Sequence, residues 1–366
     1  MKNKNSNNNN ITILQQVIPK YRLNFFKELN SKLKFDLCVS ASGLRKPGSV
    51  ITKDKYLKIN LIKNFNFINI AIFQFLPFKK LFLKKIIIFE FNLRIISSIL
   101  LLLLRIFFNK KNILWTHGLT DTMSSLSKTV RVFLMKRANS IIVYETPAKK
   151  ILIKYGIPKK NIFIAKNSID IRDNIKFINL KQKRYRVTFI GRIIKEKNVM
   201  LLCNAFSSII KKIDNSIVLT IIGNGKEHNV LKKKFNNNRI KFIGYLDDEK
   251  KISNYLNQTL FTVSPDYLGL SIIHSFSYKV PILVNKFPKK AHSPEIALLK
   301  NNYNGWYFNR SQKSLENQIL KCLNNRKKLE EFGKNGYKKV KKEYGIEIMT
   351  ENFLEAIRNC RDDKNK

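Results

Sequence analysis

The stretch YRVTFIGRIIKEKN at 185–198 decides the fold. Its first half is a β-rich run that reads as a strand, Gly191 turns the chain, and Arg192 and Lys197 stand on the loop beyond. Downstream, SIVLTIIG, RIKFIGYL, LFTVSP and VPILVN have the same strand-like composition, with helical segments between all of them. Strands alternating with helices read as a parallel α/β sheet. The first three strands end in Gly or just beyond it, and the carboxyl ends of such strands are where doubly wound sheets bind ligands. Two cations there suit a diphosphate, since Arg supplies a planar fork and Lys a point charge. A solvated loop in a very basic protein has the same spacing, so both readings stay open here.

Upstream, the alternation starts at Asn10 with ITILQQVI, YRLNFFKELNSKL and KFDLCVSAS. A poorly patterned middle follows. The rhythm resumes with NILWTHGL, SSLSKTVRVFLMKRA, NSIIVYET, PAKKILIKYGI and NIFIAKNS, closing a first unit near Ile175. The polar lead at 1–9 reads as disordered and DIRDNIKFINLKQKR as a hinge. The expected architecture is α/β, with two Rossmann-like doubly wound domains at 10–175 and 185–345 facing a central cleft. The tail at 346–366 reads as helical and charged.

Two domains also suit the 366 residues, and 44% hydrophobic residues suffice for two cores. Lys and Arg number 70 against 25 Asp and Glu, a formal charge of +45 that would draw nucleic acid, an anionic membrane or a phosphorylated substrate. The abundance of Asn, Ile and Phe fits an AT-rich coding bias, which raises Lys as well, so charge alone selects none of these. Cys38, Cys203, Cys322 and Cys360 match no metal or disulfide spacing and fit a reducing cytoplasm. The start of the chain has no long apolar region to suggest export. IISSILLLLLRIFF at 95–108 is interrupted by Arg105 and has about half the ~20 apolar residues of a membrane span. It reads as a core helix or as a surface touching lipid, because Lys79, Lys80, Lys84, Lys85, Arg94, Lys110 and Lys111 surround it.

In SPDYLGLSIIHSFSYKVPI at 264–282, Gly269 and Leu270 open a helix whose free amides can hold a phosphate. Asp266 lies just before it and His274 just inside it; a capped helix with an ordinary histidine reads the same way. In WTHGL at 115–119, His117 and Gly118 leave a strand end. A lone histidine near an apolar strand is commonly structural, yet the chain has only four. Phosphate-loop, Asp-x-Asp and His-x-Glu patterns are missing, so no metal and no cofactor are expected, and phosphate charge would fall to Arg192, Lys197 and helix amides.

Together these residues resemble the retaining glycosyltransferases of family 4, in the GT-B group, over nearly the whole chain and most closely at about 186–309. Gly191, Arg192, Glu196 and Lys197 match the family's Gly-Arg-x-x-x-Glu-Lys stretch, whose Arg and Lys bind the donor diphosphate. Gly223 and Gly225 match its Gly-x-Gly turn, and Glu295 falls in the loop after the next strand. Asp266 and His274 occupy the two acid positions of its Glu-x7-Glu motif; a shorter carboxylate on the sugar and an imidazole on the ribose are the implied roles. His117 matches the family's histidine near the reacting carbon. The usual glycine loop near the amino terminus is replaced by VIPKYRLNFF, which puts Lys20, Tyr21 and Arg22 on the expected acceptor wall.

The resemblance implies metal-independent, retaining hexosyl transfer from a nucleotide-diphosphate sugar to a glycan or lipid-linked acceptor. It places that reaction in surface polysaccharide or lipopolysaccharide synthesis and implies that the helix within 346–366 crosses back to the first domain, while the basic first domain and its apolar run at 95–108 point to the cytoplasmic face of an anionic membrane. Specific nucleic-acid binding is not expected, because no recognition motif accompanies the charge, and the oligomeric state stays open. A catalytically degenerate partner subunit, which the altered acids would permit, and a basic polyanion-binding protein are the alternatives.

Overall fold

A computed structural model describes residues 10–40, 53–67, 71–120, 123–170, 182–246, 248–286 and 292–362. The polar lead and most of the expected hinge lie outside the described residues. The chain divides into two compact units, Met1–Ile169 together with Ile346–Lys366, and Asp170–Gly345.

In the first unit the strands are β1 Ile11–Gln15, β2 Asp36–Ser40, β3 Ile59–Ile62, β4 Asn64–Phe67, β5 Ala71–Gln74, β6 Ile86–Glu90, β7 Lys111–Thr116, β8 Ser140–Val143 and β9 Ile162–Ile164. Seven of them form a parallel sheet in the order β3-β2-β1-β6-β7-β8-β9, while β4 and β5 pair as an antiparallel hairpin. Successive side chains of a strand point to opposite faces, and both faces are covered. Ile13, Ile88 and Trp115 pack with Phe25 and Phe353 on one side. Leu14, Phe89 and Leu114 pack with Leu101 and Met135 on the other.

The poorly patterned middle contains β6, which pairs with β1 and β7 at the centre of this sheet. Its run of apolar residues is buried on both faces, so it carries no alternation to read. The last helix, Ile346–Asp362, lies against β7, β8 and β9. Phe353 meets the rings of Phe25 and Trp115 at 4.8 Å each, and Ser140 Oγ donates to the Ala356 carbonyl at 2.9 Å.

The second unit contains β10 Arg186–Ile190, β11 Val218–Ile222, β12 Ile240–Gly244, β13 Thr259–Ser264, β14 Ile282–Asn285 and β15 Gly305–Phe308. All are parallel, in the order β12-β11-β10-β13-β14-β15. The order reverses between β10 and β13, which makes their carboxyl ends the topological switch point of the unit. Phe189, Phe206, Phe261 and Trp306 fill its core. The four cysteines are buried and form no disulfide among the described residues. Among the described residues no helix is long and apolar enough to cross a membrane.

Candidate functional site

Two glycine turns shape the switch point of the second unit. Gly191, directly after β10, has φ +153°, and Gly223, directly after β11, has φ +142°. The two loops lie backbone against backbone: the Ile193 amide donates to the Asn224 carbonyl at 2.9 Å, and the Glu227 amide to the Ile193 carbonyl at 3.1 Å. A Cβ on Gly223 would sit 1.8 Å from the Gly191 carbonyl oxygen, and one on Gly225 2.3 Å from that of Ile193. These close approaches hold the loop bearing Arg192 and Lys197 at the strand ends.

Lys197 is 8% exposed. Its Nζ donates to the Tyr267 carbonyl at 2.7 Å and lies 4.6 Å from the centroid of the Tyr267 ring. A Cβ on Gly269 would stand 3.6 Å from the same ammonium, so the end of the β10 loop and the start of the helix Ser271–Ser277 meet at this charge. Burial, together with the nearby Arg192, lowers the Lys197 pKa to about 8 against the opposing pull of Glu295. The Tyr267 amide donates to the Glu196 carbonyl at 3.1 Å, joining the two loops directly. Glu295 is buried on the short turn Pro294–Leu298.

Asp266 is buried at the end of β13. Its Oδ2 accepts from Arg310 Nη2 at 2.9 Å, and Asn285 Nδ2 reaches its Oδ1 at 3.3 Å. Arg310 and Asn285 did not emerge from the sequence, since nothing local ties either to residue 266. His292 is a third omission. Its Nδ1 accepts from the Leu268 amide at 3.0 Å and its Nε2 lies 3.1 Å from the Asn285 carbonyl, so a neutral ring braces the segment that carries Asp266. Burial lowers its pKa, which keeps it neutral.

His274 is half-buried on the helix Ser271–Ser277, and its Nδ1 is buried without a hydrogen-bond partner. Burial holds the imidazole below its ordinary pKa, outweighing the opposite pull of Glu249. A neutral imidazole with a buried, unsatisfied nitrogen keeps hydrogen-bonding capacity that no neighbouring group uses.

In the first unit the strand order reverses between β1 and β6, and a second polar cluster occupies those carboxyl ends. His117, just after β7, is exposed on one side and stacks the other on Tyr144, with ring centroids 4.4 Å apart at 29°. Arg22 is turned inward: its Nη2 donates to the Tyr144 hydroxyl at 3.0 Å, its Nη1 to Gln15 Oε1 at 3.4 Å, and the guanidinium lies 4.7 Å from the Trp115 ring. Arg22 therefore stands behind His117, whereas Lys20 is exposed and Tyr21 half-buried. Partial burial and then Arg22 push the His117 pKa down, so the ring is neutral at pH 7. Glu90, at the end of β6, accepts from the Gln16 amide at 2.6 Å, and its withdrawal from solvent raises its carboxyl pKa.

Two Rossmann-like units, one with the buried Lys197 and the exposed Arg192 at its switch point, define a doubly wound class of α/β protein. Residues 170–339 match the model of the family described as Glycosyl transferases group 1. The O-antigen biosynthesis glycosyltransferase WbnH of Escherichia coli is 30% identical over 145 residues, 39% of this chain and 40% of that one. The capsular polysaccharide biosynthesis glycosyltransferase CapM of Staphylococcus aureus is 23% identical over 190 residues, 50% of this chain and 48% of that one. The chain thus spans less than half the length of either relative. The crystal structure of Anabaena Alr3699/HepE in complex with UDP superposes with a TM-score of 0.67 over 95% of this chain and 99% of that one. At 13% identity that likeness shows the fold alone, which is the α/β architecture of GT-B glycosyltransferases. Residues 170–339 are less than half of the chain, so the matches are a likeness over part of it to the glycosyl transferases group 1 family and to relatives named for O-antigen and capsular polysaccharide biosynthesis.

Proposed function

We propose that this protein transfers a hexose, with retention and without a metal, from a nucleoside-diphosphate sugar to a glycan or lipid-linked acceptor at the cytoplasmic face of the cell membrane. The observation that carries the proposal is Lys197, a buried ammonium held between the β10 loop and Gly269 beside Arg192. A buried cation costs stability unless something anionic meets it, and a diphosphate leaving group supplies that anion. In this reading Arg192 and Lys197 stabilise charge on the departing diphosphate, and the amides at Gly269 and Leu270 add to them. His274 bonds the ribose and the Gly223–Gly225 turn frames the base. Asp266, oriented by Arg310 and Asn285, touches the transferred sugar, and Glu295 balances the cations. The first unit has its own candidates: His117 as a neutral donor or acceptor for a sugar, Lys20 and Tyr21 for the acceptor, and Arg22 supporting Tyr144 behind His117. Relatives named for O-antigen and capsule synthesis favour a surface glycan as the product, and the UDP held by Alr3699/HepE makes a uridine donor the first to try.

Thermal unfolding with UDP, GDP, ADP and CMP in turn tests the donor site. A ligand at about 100 times its Kd adds ~2.7 kcal/mol of stability. One nucleoside diphosphate is expected to raise the midpoint, and His274→Ala to remove most of that rise. A full response to all diphosphates in His274→Ala would take the ribose role from this residue. No response in the parent protein would favour a non-catalytic partner subunit.

The Lys197 pKa of about 8 gives a pH dependence with a definite sign. The ammonium is charged below that value and neutral above it, so diphosphate affinity falls as pH rises through it, by at most about tenfold per pH unit. Calorimetric titration of the matching nucleotide from pH 7 upward measures this slope. An affinity flat across that range would mean that the Lys197 charge does not meet the ligand.

A further inference from the structure

The apolar run at 95–108 folds as the helix Ile96–Phe107, and its polarity is inside out. Arg105, the one charge in the run, is 0% exposed. Its guanidinium donates to the carbonyls of Leu81, Phe82, Lys84 and Lys111 at 2.8–3.1 Å, and its Nε to Asn112 Oδ1 at 2.8 Å. Ser97 and Ser98 also face inward, both bonded to Gln74 of β5. The outer face is left to Leu100, Leu103, Leu104 and Phe107, with Phe107 80% exposed. The β4–β5 hairpin packs beside this helix through β5 and exposes Phe65, Phe67 and Phe73. Soluble surfaces rarely expose extended apolar faces, and here exposed leucines and phenylalanines occur on two elements packed side by side.

Charge says what covers this face. From Lys55 to Thr120 the only acidic residue is Glu90, which is turned toward Gln16 and Arg22. Lys63, Lys79, Lys80, Lys85 and Arg94 are exposed on the segments that carry or flank the apolar face. Protein interfaces are depleted in Lys, whereas a lysine rim around an apolar face suits a bilayer, where long cationic side chains reach the headgroups. At 12 residues the helix is about 18 Å long, well short of the ~30 Å hydrocarbon core, a length that suits lying in the interface plane and not crossing it.

We propose that the outer face of Ile96–Phe107 and the β4–β5 hairpin together form a docking face for an anionic lipid bilayer, with the aromatic and leucine side chains inserted. The inference does not depend on nucleotide chemistry. The test is sedimentation of the full chain with phosphatidylcholine vesicles, with and without phosphatidylglycerol, alongside the double variants Leu103→Ser/Phe107→Ser and Phe67→Ser/Phe73→Ser. These side chains are solvent-exposed, so both variants are expected to keep the parent melting midpoint. The parent should partition onto the anionic vesicles, and each double variant at least about tenfold less. Equal partitioning of parent and both variants would overturn the insertion, leaving only the diffuse attraction of lysines. Failure of the parent to sediment with either vesicle would overturn the proposal outright, as would a dimer that both variants dissolve without any vesicle binding.

Discussion

Lys197→Ala is expected to lower turnover by about 10²- to 10³-fold, the range found when one preorganised charge stabiliser is removed from an active site. The size of the effect follows from where the ammonium sits. It is buried, fixed at 2.7 Å by the Tyr267 carbonyl, and reinforced by Arg192, so it needs no reorganisation when charge develops on a leaving phosphate. Unfolding is not expected to confuse the result. A cation whose folded pKa lies below its unfolded value binds its proton less tightly when folded, so the charged form costs stability below about pH 8. That cost fades as pH rises from 8 toward the ordinary lysine value. Removing the side chain relieves it at neutral pH, against the loss of packing on Tyr267. Turnover measured with the nucleotide sugar found by thermal shift decides the matter, with Lys197→Met as the variant that preserves bulk. A variant with parent turnover would remove Lys197 from the chemistry.

The strand ends of the second unit were legible because glycine marks them for a physical reason. Gly191, Gly223 and Gly244 all have positive φ, and two of them lie where backbones touch. The first unit was harder to read. Strand β6 lacks alternation because it is buried on both faces, and it shares the lysine-rich middle with a hairpin whose phenylalanines face solvent. Pattern reading assumes that apolar residues point inward and charges outward. The helix Ile96–Phe107 inverts that rule, and Arg105 could be placed only once the carbonyls around it were known.

The same limit applies to the sites. Lys197 and Asp266 stood out because each lies at a strand-to-helix turn, and His274 because it sits just inside the helix that follows. The residues that orient them come from afar: Arg310 is 44 positions from Asp266, and Tyr144 is 122 positions from Arg22. Arg22 shows how far proximity in sequence can mislead. It lies next to Lys20 and Tyr21 on the expected acceptor wall, but its fork is occupied by Tyr144 and Gln15, and it acts on His117 through the ring between them.

Gly223→Ala is expected to destabilise the second unit by about 2–4 kcal/mol, well above the usual effect of a surface change. Its Cβ would stand 1.8 Å from the Gly191 carbonyl oxygen and 2.9 Å from the carbonyl carbon, both backbone atoms that no rotamer change can move aside. A φ of +142° adds strain for any L side chain. Relief requires the β10 and β11 loops to part, which breaks the bonds from Ile193 to Asn224 and from Glu227 to Ile193 and releases Arg192 and Lys197 from their places. Urea unfolding should therefore show a lower midpoint, and the folded fraction that remains should bind nucleoside diphosphate weakly. Gly244→Ala is the control: Gly244 also has a positive φ, at +88°, yet nothing lies within 4 Å of its added Cβ. If the two substitutions cost the same, φ strain alone would account for both, and the backbone-to-backbone packing of the two glycine loops would not be what positions the cations.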